Sequence, residues 1–158
     1  MNTKTIKGRR DLQFNCENCL LADAEKIAAL PDSYRALGNW SIGENFSHVA
    51  KTINASVNGF GFRVPLYLRV LGRVLRKKFL AKTFHAGIEF NVSAAKQIGP
   101  DQGISTADAF KQLQDAVALF QSTNKRAGSP IFGCLTAEQW VQMHARHAEL
   151  HFSFIVPK

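Results

Sequence analysis

Near its C-terminus the chain reads Met143-His144-Ala-Arg-His147-Ala-Glu-Leu-His151. His147 and His151 are four apart, which on a helix sets two imidazoles on one face about one turn apart. Rings so placed can share one divalent cation. His144, three before His147, falls on the same face, and His48 lies in a separate helical segment beside its apolar side. Trp140, Ala148 and Phe154 flank the stripe, so this face is expected to look inward. Buried imidazoles need partners. One shared cation would satisfy several rings together, whereas core hydrogen bonds would satisfy each singly, and spacing alone leaves both open.

No other motif competes for the chemistry. Cys16-Glu-Asn-Cys19 has CxxC spacing, but Cys134 is the one further cysteine, so no second pair closes a four-sulfur zinc site. The pair falls inside a helical pattern rather than between a strand and a helix. It therefore reads as two small buried hydrophobes instead of a redox motif. Gly59-Phe-Gly61 is too short for a dinucleotide loop and follows a helix. No nucleophile triad is present. His85 sits in an irregular stretch, is expected to be exposed, and would serve as a ligand only in place of His48.

The elements that must position these rings are helical. Apolar residues Phe14, Leu20, Leu21, Ala24, Ile27 and Ala28 recur at helical intervals from Arg10 to Leu30, where Pro31 ends the segment. A polar loop follows. Ser41-Ile-Gly-Glu44 is a capping box, and the helix it opens should run to about Asn58 with Ile42, Phe46, Val49, Ile53 and Val57 inward. Gly59 and Gly61 stop it. Ser105 with Asp108 starts another helix, carrying Ala109, Phe110, Leu113, Val117 and Phe120 at helical spacing. Thr136-Ala-Glu-Gln139 is a second capping box, opening a last helix expected to reach about Ile155. The stretch from Lys82 to Gly103, broken by Gly87, Gly99 and Pro100, reads mostly as loop. The pattern predicts an all-α, up-down bundle of four principal helices plus one basic helix, in which sites lie between facing helices.

That basic helix spans residues 65 to 80, PLYLRVLGRVLRKKFL, with Pro65 suited to a first-turn position. Leu66, Tyr67, Val70, Leu71, Val74, Leu75 and Phe79 form an apolar face opposite Arg69, Arg73, Arg76 and Lys77. Arg63 to Lys82 holds seven cations and no acid; setting these seven aside from the net charge of +8 leaves +1, so the basicity is one local patch. Such a helix can meet anionic lipid or nucleic acid. The apolar face is nevertheless expected to cover the core, which makes the cations an ordinary solvated surface. Few aromatics interleave with the charges, and nucleic-acid binding ranks below the metal reading.

The bulk numbers agree. The 158 residues suit one domain that folds without staples, and 46% hydrophobic against 20% charged residues excludes a disordered chain. No apolar run is long enough for a membrane span, and the polar, basic start leads into no signal-like stretch, so a cytoplasmic protein is expected.

Two segments carry a family resemblance. Trp40-Ser-Ile-Gly-Glu44-Asn-Phe-Ser-His48-Val-Ala50 resembles the histidine-bearing second helix of the DinB/YfiT-like bundle superfamily. Phe132-Gly-Cys-Leu-Thr136-Ala-Glu-Gln-Trp140, running into His144, His147 and His151, resembles its closing helix, in a branch with an FGxLTxxxW…HxxH signature. Arg9-Arg10-Asp-Leu also matches, whereas Ser129-Pro130 stands where relatives often carry His-Pro. The resemblance spans nearly the whole chain. It implies a four-helix bundle in which His48, His147 and His151 hold a divalent metal, often nickel or zinc. His144, common in this branch, is outside the three superfamily ligands and is placed either to support them or to serve as an alternative ligand.

Three neutral imidazoles leave coordination positions open, as catalytic rather than structural sites do. An open position can activate water for hydrolysis, or hold a thiol deprotonated. Characterised relatives in the superfamily include transferases that use low-molecular-weight thiols, so the resemblance implies thiol transfer ahead of hydrolysis. A bundle that binds a ligand or forms a homodimer without catalysis is the remaining alternative. Asn45, one turn before His48, is placed either to orient a ligand or to be an ordinary helix-surface amide; Glu44 is expected to cap.

Overall fold

The computed structural model describes residues 3–84 and 92–158, the side chain of residue 92 excepted. His85 and the neighbouring part of the 82–103 stretch lie outside the described residues. Among those described the chain is mostly helical: α1 (Glu17–Ala29), α2 (Ile42–Asn58), α3 (Leu66–Leu80), α4 (Val92–Ile98), α5 (Thr106–Ser122) and α6 (Ala137–Phe152). Helices α1, α2, α5 and α6 pack together as the bundle. Their shared core includes Leu20, Ile27, Phe46, Ile53, Leu113 and Trp140, none with exposed surface.

Both capping boxes form. The Ser41 hydroxyl accepts from the Glu44 amide at 3.1 Å, and the Glu44 carboxylate accepts from the Ser41 amide at 2.8 Å. Thr136 and Gln139 make the equivalent pair at 3.2 and 3.1 Å. Glu44 is thereby occupied as a cap. The α2–α5 contact depends on Gly43: a Cβ there would press on the Ile104 carbonyl and lie 3.0 Å from the Ser105 carbonyl oxygen.

Several expectations are corrected. Helix α1 begins at Glu17, because residues 10–16 instead bridge to α6: Arg10 N–H donates to Ser153 O at 2.9 Å, and Phe14 N–H to the buried Glu149 carboxylate at 2.6 Å. Cys16 and Cys19 are half-buried at the N-cap and first turn of α1, joined as a disulfide with Cα atoms 5.3 Å apart, and are not separate mid-helix hydrophobes. Helix α6 stops at Phe152, and Ile155–Pro157 forms β2, antiparallel to β1 (Tyr34–Ala36) in the expected polar loop. The 82–103 stretch contains α4.

Helix α3 departs furthest from expectation. Its apolar face does not cover the core: Tyr67, Val70, Leu71 and Val74 are 69, 53, 49 and 74% exposed. The side that docks carries Gly72 and Leu80, both buried, with Arg69 and Arg76 half-buried beside them. Gly72 allows the approach, since a Cβ there would come within 2.6 Å of the Ile131 carbonyl oxygen. Arg76 donates to the Cys134 carbonyl at 3.3 Å. Pro65 occupies the cap, one residue before the first turn. No helix among the described residues is long and apolar enough to cross a membrane.

Candidate metal centre

Helices α2 and α6 bring histidines from distant parts of the chain together. The Nε2 atoms of His48 and His147 are 3.1 Å apart, and those of His147 and His151 are also 3.1 Å apart. One ligand nitrogen from each of the three rings lies within 4.8 Å of the others, a group able to hold a metal ion. His48 is fully buried, whereas His147 and His151 are half-buried, so the cluster is closed on the α2 side and reachable from the α6 side.

The ring nitrogens of the cluster make more close contacts than one linear hydrogen bond serves. His48 Nδ1 donates its proton to the Ile98 carbonyl, which leaves the Nε2 of the neutral ring with only a lone pair. His147 Nε2 lies at hydrogen-bond distance from two other ring nitrogens, yet a neutral imidazole nitrogen carries either one proton or one lone pair. A single linear hydrogen bond can therefore account for only one of those contacts. Three lone pairs converging on a cation account for both. Tetrahedral ligands at zinc–nitrogen distances sit roughly 3.4 Å from one another, close to the spacing of both pairs.

Burial supplies the protonation state that a ligand needs. Desolvation pushes His48 down to about 4; its bond to Ile98 opposes this and nearby Lys51 adds to it. Desolvation likewise holds His147 and His151 well below the usual histidine range, reinforced by the charges that neighbouring rings would carry. All three are neutral near pH 7, the form that binds metal.

Several groups fix the rings. Trp40 packs on two of them, with centroids 4.9 Å from His48 and 5.3 Å from His151, the latter nearly parallel. The Ile98 carbonyl is held through the loop after α4, because Lys51 Nζ donates to Gly99 O at 3.0 Å and to Asp101 at 2.6 Å. Hydrogen bonding by Lys51 is the leading cause that keeps the Asp101 carboxyl below its ordinary range. Sequence reasoning missed Ile98, Lys51 and Asp101. A main-chain carbonyl has no side-chain signature, and Gly99-Pro100 masks the α4 terminus as loop. Trp40 is visible in the sequence only as part of the resemblance.

His144 stands outside the cluster. Ser56 Oγ donates to Ile53 O at 2.6 Å and accepts from His144 Nε2 at 3.0 Å. The ring is fully buried, stacked on Trp140 and edge-on to Phe120, and burial followed by the Arg126 charge pushes its pKa down to about 3. Asn45 Nδ2 donates to Ser41 O at 2.8 Å and Trp40 O at 3.4 Å, so this amide braces the first turn and the residue whose ring covers the cluster.

Fold and site together define a helical bundle with a three-histidine group that can hold a cation. The chain belongs to the family described as Protein of unknown function (DUF1569), whose sequence pattern matches residues 6–158 and so includes all three histidines. No curated protein and no solved structure matches it.

Proposed function

We propose that this protein is a metal-dependent enzyme in which His48, His147 and His151 hold one divalent ion, nickel or zinc, and in which a small thiol is activated for transfer. The observation that carries the reading is the pair of 3.1 Å contacts at His147 Nε2, of which a single linear ring-to-ring hydrogen bond accounts for only one. The resemblance of the Trp40–Ala50 and Phe132–His151 segments to the DinB/YfiT-like superfamily supports both the metal and the thiol. When bound, the ion would supply the positive charge that keeps a thiol deprotonated at neutral pH.

The chain's own residues do the rest. The Ile98 carbonyl fixes the His48 tautomer so that Nε2 faces the cluster. Trp40 restricts the tilt of His48 and His151 and covers both rings on that side. No carboxylate joins the group among the described residues, so a neutral donor set would leave the ion's charge undiminished for an anionic sulfur. The half-exposed edge at His147 and His151 is the way in.

The test is spectroscopic. Protein loaded with cobalt should change its visible spectrum on addition of a small thiol such as 2-mercaptoethanol, and the change should vanish in His48→Ala. A loaded protein whose spectrum ignores thiols would contradict the thiol reading while leaving the metal site standing.

A further inference from the structure

Helix α3 presents its apolar residues to solvent and its glycine to the protein. Tyr67, Val70, Leu71 and Val74, at intervals of three, one and three, form one outward stripe, with Val74 74% exposed. Lys77 and Lys78 continue the stripe at its C-terminal end, and Arg63, Arg73 and Lys82 are also exposed. Not one acidic residue lies between Arg63 and Lys82. Gly72, whose bare backbone seats α3 against Ile131, lies on the opposite side, and the stripe is left facing outward.

We propose that α3 is a membrane-docking helix that binds the surface of anionic lipid bilayers, its apolar stripe entering the headgroup boundary and its cations meeting lipid phosphates. An amphipathic helix with aliphatic and aromatic residues on one side and Lys/Arg at its margins is the pattern of an interfacial helix, and its length need not span the bilayer. Charge chooses the occupant. A second copy of the chain, paired through this stripe, would set one acid-free cationic segment against another. Nucleic acid would use the cations but would leave the aliphatic stripe in water. Anionic lipid satisfies both. The inference stands on α3 alone and is independent of the histidine cluster.

The full-length protein should co-sediment with vesicles of phosphatidylcholine containing phosphatidylglycerol and should stay in solution with phosphatidylcholine alone. Reversing Lys77 and Lys78 to Glu should weaken that binding at least about tenfold, because each cation near the surface contributes appreciably. Val70→Asp with Val74→Asp should abolish it, while circular dichroism and metal content stay unchanged because both side chains are more than half exposed. Equal binding to both vesicle types, no binding to either, or binding indifferent to the Val70/Val74 pair would each overturn the proposal. So would self-association that the valine variant abolishes, in protein that ignores vesicles.

Discussion

His144 and His147 stand one turn apart on the same stripe of α6, and the opposite helix gives them different partners. At His144, α2 presents Ser56, whose hydroxyl accepts a hydrogen bond from the ring Nε2–H at 3.0 Å, and Trp140 and Phe120 close around it. At His147, α2 presents His48, another ring, and His151 adds a third from the next turn. The first arrangement satisfies the Nε2 proton within the protein. The second brings two ring nitrogens to His147 Nε2, and one linear hydrogen bond serves only one of them. What separates these two histidines is therefore the residue that faces each across the helix interface, since both lie on one stripe of α6.

The largest effect should come from removing the ring at the centre of the cluster. His147→Ala should lower affinity for zinc or nickel by well over the roughly 10–100-fold that loss of an outer support costs, with the helical circular dichroism signal retained. Competition with a chromogenic chelator measures it. Should the same loss follow from His144→Ala, the distinction between the two rings would fail.

Acid should act chiefly through the buried rings. His144 has a pKa near 3 in the fold against 6.5 when unfolded, so between those values the unfolded chain binds the proton and the folded chain does not. Stability is full above the unfolded value and falls as the pH drops toward 3, by about 2 kcal/mol at roughly pH 5 from this ring alone. Urea midpoints of metal-free wild type and His144→Phe, followed across that range, should differ in slope, with the variant flatter.

Trp40→Ala should weaken metal binding about tenfold without changing its stoichiometry, because two rings lose the surface that restricts them. Asn45→Ala should have the smallest effect, about 1 kcal/mol of thermal stability from the helix start, and a metal affinity within a few-fold of wild type.

The parts of this site that were legible in the sequence are those carried by local side-chain signals. Ser41/Glu44 and Thr136/Gln139 mark where α2 and α6 begin, and four-residue spacing places His147 beside His151. Pairing is only partly legible. Because α2 and α6 meet with His48 near His147 and His151, and Ser56 near His144, they run in opposite directions, and only that register separates the two kinds of histidine. The N-terminal bridge and β2 are set by contacts with distant residues, such as Phe14 with Glu149, and leave no local pattern. Helix α3 shows the limit most plainly. Its periodicity gives two faces, but the choice of which one docks is made by the close approach of Gly72 to Ile131.

Metal analysis of the untagged protein, after exposure to zinc or nickel and removal of excess, tests the central claim most directly. About one divalent ion per chain is expected in the wild type and in His144→Phe, and none in His48→Ala or His147→Ala. A wild type that retains no ion, or a His48→Ala variant that retains its full complement, would contradict the convergence of these three rings on one cation.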